Sequence, residues 1–329
     1  MAILRVARHI AGALLLLTLI GSSASSAEAP KVVVTIKPVH ALVSQIMAGV
    51  GSPTLLVDGS ASPHTFTLRP STARAINDAD VFIRISDSME PFTRKIVQAL
   101  PSNVTVVTLA DSQGITLLDQ RHGGTFEAHS HSHGAGDADD DDHDGHEEHA
   151  DHHDETGKDG HIWLDPQNAK AIVDVVTKAV SVRYPHDASK FKANALALDR
   201  RLDALNQELA AELSGARRKP FIVFHDATQY FENRFGLTAA GSITVSPEVP
   251  PSARRLSEVR QKITSLGAVC VFSEPSFQPN LIAAVTEGTA ARAGTLDAEG
   301  IMLTPGPELY FTLMRGLAHN LTHCLDMQS

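Results

Sequence analysis

Short apolar runs alternate with amphipathic stretches along most of the chain. Strand-like runs in the first half occupy residues 31–36, 54–57, 81–85 and 104–109. The segments between them that place apolar residues at helical spacing are 39–49, 70–79 and 91–100. A repeated strand–helix order predicts a parallel sheet that helices cover on both faces.

The same alternation restarts in the second half of the chain. Strand-like runs there are 221–226, 237–243 and 268–274, and helical patterns are 252–267, 280–290 and about 308–324. Between the halves, a helix over 165–184 starts with Asp165 as its N-cap and Pro166 at its first position. A longer helix follows, and it spans about 40 Å, more than one lobe needs.

The pattern therefore predicts an α/β fold with two lobes, each with a mostly parallel sheet flanked by helices, joined by a long rigid helix. We place the N-terminal lobe at 28–186, the linking helix at 187–216 and the C-terminal lobe at 217–329. Ligands of such sheets bind at the carboxyl ends of the strands. We therefore expect the functional site in the cleft between the lobes.

The first 27 residues have the pattern of a secretory signal peptide. Arg5 and Arg8 precede an apolar run at 13–20, and small residues follow it. The apolar run is too short to span a bilayer. We expect export of the mature chain to a bacterial periplasm.

Nearly all the net charge lies in one insert. The formal charge of the chain is −10, and residues 122–160 contain thirteen acids and one lysine. The remaining body is close to neutral, which gives no reason to propose nucleic acid or an anionic membrane as a partner. We expect a monomer.

The chain has two cysteines, Cys270 and Cys324. In an oxidising compartment an even number of cysteines suggests one disulfide bond. Two unpaired buried thiols are the alternative interpretation.

The acidic insert, at about 122–158, is also rich in histidine and is predicted to be a disordered loop because it has almost no apolar residues to bury. Its accessory candidate metal ligands are His129, His131, His133, His143, His146, His149, His152 and His153. Because these histidines are only one to a few residues apart, neighbouring imidazoles could bind one cation together, which suits a low-affinity metal collector or a sensor of zinc abundance. A solvated charge run without a role is the alternative, and a calcium-binding EF-hand loop, which the acids from Asp140 to Asp151 nearly match, is a weaker one.

Histidines outside the insert lie at junctions where strands or loops lead into helices. They are His64, His161 and His225, and Asp297 lies at a further predicted strand end. Three imidazoles and one carboxylate would complete a tetrahedral Zn²⁺ site. His319 and His323 also have a ligand spacing, but helical histidines near a C-terminus are commonly structural.

Five segments carry a resemblance to a known family. In order, they are ASPHTFTLRPS, GHIWLDP, FHDATQYFE, FSEPSFQP and AGTLD. Together they resemble the ZnuA-type zinc-binding receptors of bacterial ABC transporters. The resemblance implies that His64, His161 and His225 bind the metal and that Asp297, water or another carboxylate takes the fourth position.

The resemblance also implies two α/β lobes joined by a long helix, a bridge like Cys270–Cys324, and an inner-membrane permease as partner. Zn²⁺ would be the transported ligand and not a catalytic cofactor. Manganese-binding relatives tend to have an acid where this chain has His225, and a third imidazole suits Zn²⁺ better than Mn²⁺.

Three other functions remain open on the sequence alone. A zinc hydrolase could use the same three histidines, with Asp226 or Glu274 as general base, although no hydrolytic motif surrounds them. A receptor for manganese or another divalent metal is the second. A surface adhesin or zinc buffer outside a transport pathway is the third.

Overall fold

The computed structural model describes residues 29–59, 61–121, 157–244, 250–275 and 279–326. The predicted signal peptide and almost all of the His-rich insert lie outside these ranges, as do all eight accessory histidines and the EF-hand-like run. The positions of the lobe boundaries stay predictions.

The first sheet has four parallel strands among the described residues, in the order β2-β1-β3-β4. They are β1 (Val32–Val34), β2 (Thr54–Leu55), β3 (Val81–Arg84) and β4 (Thr105–Thr108). Its helices are α1 (Lys37–Ile46), α2 (Pro70–Asn77) and α3 (Arg94–Ala99). Every residue of β1 and β3 is buried, as expected for apolar strands covered on both faces. The predicted order of strands and helices is confirmed here.

The second sheet repeats this arrangement with the order β6-β5-β7-β8, again with parallel neighbours. Its strands are β5 (Phe221–Val223), β6 (Ala239–Ser242), β7 (Cys270–Ser273) and β8 (Arg292–Thr295). Its helices are α6 (Gln229–Phe235), α7 (Ala253–Leu266) and α8 (Pro279–Thr286). The sequence pattern gave no bounds for β8, although it placed Asp297 at a strand end, and it did not predict α6. The four residues of β8 are partly or fully exposed and include one glycine, so they lack an apolar signal.

Three long helices pack together between and beside the sheets: α4 (Pro166–Arg183), α5 (Ala188–Glu212) and α9 (Leu309–Asp326). The side chain of Asp165 accepts a hydrogen bond from the amide of Gln167 at 2.8 Å, which confirms the predicted N-cap. The 25 residues of α5 span about 38 Å. One apolar core includes Val32 of the first sheet, the buried leucines of α5, and Leu325 of α9.

The predicted disulfide is present. Cys270 on β7 is bonded to Cys324 on α9, with 6.2 Å between their Cα atoms. The two cysteines are 54 positions apart in the sequence. On the chain-entropy model, closing a loop of this size stabilises the fold by about 4 kcal/mol.

Within the described ranges, no helix combines the length and the apolar character that a membrane span requires.

Candidate metal centre

The three candidate histidines lie on three different segments that meet between the two sheets. His64 is in the loop between β2 and α2, where Phe66 packs edge-on against Phe92 with ring centroids 4.9 Å apart. His161 immediately precedes a 3₁₀ turn, Ile162–Leu164, whose three side chains are buried. His225 follows the buried strand β5 after one residue.

Their ligand nitrogens converge. The Nε2 atoms of His64 and His161 are 3.4 Å apart, and those of His161 and His225 are 3.3 Å apart. One nitrogen from each ring lies within 4.8 Å of the other two. Ligand atoms around a tetrahedral Zn²⁺, each about 2.0 Å from the ion, are separated by about 3.3 Å. The donor set and its spacing therefore fit a zinc ion.

Two of the imidazoles are oriented by carboxylates. Asp159 Oδ1 lies 2.7 Å from Nδ1 of His161 and also accepts the backbone N–H of that residue at 2.9 Å. Glu274 Oε1 lies 2.6 Å from Nδ1 of His225. A proton on Nδ1 that is donated to a carboxylate leaves Nε2 free to bind metal and fixes the ring plane. The arrangement prepares both rings for a cation.

The protonation preferences of the histidines differ. Burial, and then the charges of His161 and His225, hold the pKa of His64 well below its usual value of 6.5. Burial also acts to lower the pKa of His225, but the carboxylate of Glu274 outweighs it, so the pKa rises to about 9. Without metal, the site therefore carries a proton on His225 at neutral pH, and a bound cation would displace it.

Asp297, the predicted fourth ligand, is not part of the convergent group. Its Oδ1 accepts the backbone N–H of Ile301 at 2.8 Å, and its Oδ2 accepts that of Met302 at 2.9 Å. A further acid, Glu299, lies on the side of His64, with its Oε1 3.8 Å from His64 Nε2. Burial raises the pKa of Glu299 to about 8, although the charge of His225 acts in the opposite direction.

The remaining candidates lie apart from this group. His319 and His323 are exposed and stack on α9 with ring centroids 5.9 Å apart, and no third His, Cys, Asp or Glu of the described chain joins them. Asp226, a possible general base, forms an ion pair with Arg121, which also pairs with Glu232.

The two ends of the His-rich insert are paired next to the metal centre. The amide of Gln120 donates to the carbonyl of Gly157 at 2.7 Å, and the amide of Asp159 donates to that of Leu118 at 2.9 Å. Asp159 is the residue that orients His161. The residues on either side of the insert therefore lie directly beside the candidate ligand His161, as the sequence order had suggested.

Sequence reasoning missed the role of Asp159 and the position of Glu299 beside His64, and it considered Glu274 only as a general base. An acid two residues before a candidate His was a usable signal for Asp159, because metal-binding imidazoles usually donate to a carboxylate. Nothing local distinguished Glu299 from Asp297, since both lie in the same short segment.

Comparison with known proteins shows the family of the chain. The family ZnuA, described as zinc-uptake complex component A, periplasmic, matches residues 32–324. A high-affinity zinc uptake system protein ZnuA from Brucella suis is 47% identical over 314 residues, covering 92% of this chain and 94% of the relative. A protein of the same name from Paracoccus denitrificans is 38% identical, covering 95% of this chain and 97% of the relative.

Solved structures agree in fold. The crystal structure of a ZnuA deletion mutant with zinc bound superimposes with a TM-score of 0.72 at 22% identity. The match covers 92% of this chain and 100% of that chain. The two-lobe arrangement with parallel four-stranded sheets is therefore that of a known group of structures.

Proposed function

Since the chain belongs to the ZnuA family of periplasmic zinc-uptake components, we propose that it is the zinc-binding receptor of an ABC importer. In this proposal Zn²⁺ is the cargo, bound between the lobes by His64, His161 and His225 and then passed to an inner-membrane permease. The main support for this proposal is that imidazole nitrogens of the three histidines converge at spacings that suit a tetrahedral ion. Residues 1–27 would direct the chain to the periplasm.

The choice of zinc follows from the donor atoms. Three nitrogen ligands favour a borderline ion, whereas Mn²⁺ prefers oxygen ligands. Copper and nickel would also bind such nitrogens in vitro because of their intrinsic affinity. When Zn²⁺ and Mn²⁺ compete directly for the purified protein, we expect it to bind Zn²⁺ in preference.

A receptor also fits the surroundings of the site better than a hydrolase does. A hydrolase needs a general base that is free to take a proton from a metal-bound water. Asp226 is paired with Arg121, and Glu274 is hydrogen-bonded to His225. Both acids are therefore committed to other groups, which supports binding without turnover.

The His-rich insert is proposed as an accessory that gathers metal near the site mouth. Its ends are held beside Asp159, so captured ions would be released close to His161. Imidazoles must be neutral to bind metal, so capture by the insert would weaken below about pH 6.

Calorimetric zinc titration tests the proposal. It compares the mature protein with two variants, one that lacks residues 123–155 and one that carries H161A. The deletion ends before Gly157 so that its hydrogen bond with Gln120 is kept. The deletion variant should keep one tight site and lose several weaker ones, and H161A should lose the tight site. If the tight site disappears with the insert while H161A retains it, the site between the lobes is not the receptor site.

A growth experiment tests the transport role and separates it from the adhesin or buffer alternative. Deleting the gene should impair growth when zinc is limiting, and added zinc should restore it. Normal growth of the deletion strain under zinc limitation would favour a role outside transport.

A further inference from the structure

Arg121, the last described residue before the His-rich insert, forms ion pairs with two largely buried acids of the C-terminal half. We propose that Arg121 is a positioning residue, which holds the loop of His225 against the segment of His161 and so slows the release of bound metal. This inference rests on the proposed function, because it takes His161 and His225 as metal ligands.

The guanidinium of Arg121 bridges the two acids through all three of its nitrogens. Nε donates to the two oxygens of Asp226 at 3.0 and 2.8 Å, and Nη2 donates to the same carboxylate. Nη1 and Nη2 donate to the carboxylate of Glu232 at 2.8 and 3.0 Å. The side chains of Arg121, Asp226 and Glu232 are only 19%, 13% and 4% exposed. Together they form an arginine clamp, whose charges would be costly to leave unpaired.

Both acids of the arginine clamp are tied to the loop between β5 and α6, which carries His225. Asp226 is the next residue of the chain. Glu232 lies on α6, and its Oε1 accepts the hydroxyl of Thr228 at 2.7 Å. Arg121 is therefore connected to the beginning of this loop directly and to its end through Glu232.

On the other side, the arginine clamp belongs to the paired segments at the two ends of the insert. Asp159 in these segments orients the imidazole of His161. The hydroxyl of Tyr230 on α6 accepts the amide of Leu118 at 3.0 Å and donates to the carbonyl of Asp159 at 2.8 Å. Arg121 therefore lies in a contact between the two halves that supports both candidate ligands.

The sign of the effect on metal release separates positioning from simple charge repulsion. A positive charge near the site disfavours a bound cation, so removing the charge of Arg121 would by itself slow release. Without the guanidinium, two largely buried carboxylates are left next to each other unpaired, and their repulsion displaces the loop of His225. Zinc release should therefore become faster, even though a repelling charge is lost.

The test measures the rate of zinc release from the mature full-length chain by stopped-flow transfer to a chromophoric chelator. It compares the wild type with R121Q and R121K, because lysine keeps the charge but cannot bind two carboxylates with a planar fork. R315Q is the matched control. Arg315 on α9 donates two bonds of 2.8 Å to Glu208 on α5, and both residues are exposed.

A second control, L209A, accounts for a general loss of stability. Leu209 is fully buried near the C-terminal end of α5, which leads to the start of β5 and not to the end that carries His225. Removing its side chain lowers the melting temperature by leaving a cavity. Thermal unfolding of the metal-free variants measures that change and shows whether R121Q folds. If R121Q does not fold, faster release by R121K alone supports the arginine clamp.

We expect R121Q to release zinc at least about tenfold faster than the wild type and R121K to lie between them, with R315Q and L209A within about twofold of the wild type. Wild-type release by R121Q or by R121K would overturn the inference. So would equally fast release by L209A, because lost stability would then explain the result. Tight zinc binding by H161A would instead refute the proposed site itself, whatever the Arg121 variants do.

Discussion

Lys37 offers a sharp test of how the two halves of the protein are held together at the metal centre. Its ammonium is buried and donates to four carbonyls, those of Gly300, Ile301 and Leu303 and that of Gly59 at 2.9 Å. K37M keeps most of the aliphatic stem and removes every donor. The carbonyls of segment 297–303 would then lose their partner from the N-terminal half.

The expected loss of stability follows from these contacts. An ammonium has three protons, so four contacts cannot all be full hydrogen bonds. Counting only the two shortest, at about 1.5–3 kcal/mol for each bond to a charged donor, gives about 3–6 kcal/mol. Three of the four bonds are only partly buried, and water can replace them in the variant. We therefore expect K37M to lower the free energy of unfolding by about 3 kcal/mol, the lower end of that range.

Urea denaturation of the metal-free protein, followed by circular dichroism, measures this change. The matched control is K178M, because Lys178 is exposed and pairs with Asp174 on the same helix, so less than about 0.5 kcal/mol should be lost. If K37M unfolds within about 1 kcal/mol of the wild type, the carbonyl cluster contributes little and the reasoning is wrong.

Three further results are expected. D159N and E274Q should each weaken zinc binding by about 10- to 100-fold, because the imidazoles of His161 and His225 lose the carboxylates that orient them. Neither variant removes a proposed ligand. If calorimetry shows unchanged affinity in both, the carboxylates do not have this role. Because the pKa of His225 is raised to about 9 in the metal-free site, zinc binding at pH 7.5 should release about one proton and weaken as the pH falls from 9. Calorimetric titrations in buffers of different ionisation enthalpy measure the number of protons released. If no proton is released, the raised pKa of His225 is wrong. Replacing Cys270 and Cys324 together by Ala should lower the free energy of unfolding by about 4 kcal/mol, and a change below about 1 kcal/mol in urea denaturation would show that the bridge constrains little.

The fold was largely predictable from sequence because its elements are defined by local patterns. The apolar runs at 81–85 and 221–226 correspond to strands β3 and β5, which are buried along their whole length. Asp165 and Pro166 correctly predicted where α4 begins. A strand end was expected near Asp297, but the bounds of β8 were not predictable because its residues are partly or fully exposed and little of it is apolar; its pairing with β7 defines it.

The site was less predictable because its finer features depend on contacts between distant parts of the chain. The three histidines could be found from their positions at junctions, and the structure brings them together. Lys37 contacts a carbonyl 263 residues away, and Ser62 contacts Glu299 across 237 residues. No local pattern records such a pairing, so a lysine near a strand end carried no signal. The position of Asp297 outside the group depends in the same way on distant contacts, because its oxygens accept the amides of Ile301 and Met302.

The apolar core described above limits how the cargo can leave. Leu42 of α1 and Phe311 of α9 belong to one continuous buried cluster, and these helices pack against each other although they flank different sheets. Swinging the two halves widely apart would expose many such side chains, at about 1.5–3 kcal/mol each. Five to ten of them would consume the whole stability of a typical protein, about 5–15 kcal/mol. We therefore expect metal release to proceed by local loosening of the surface segments that carry the candidate ligands, without a wide separation of the two halves.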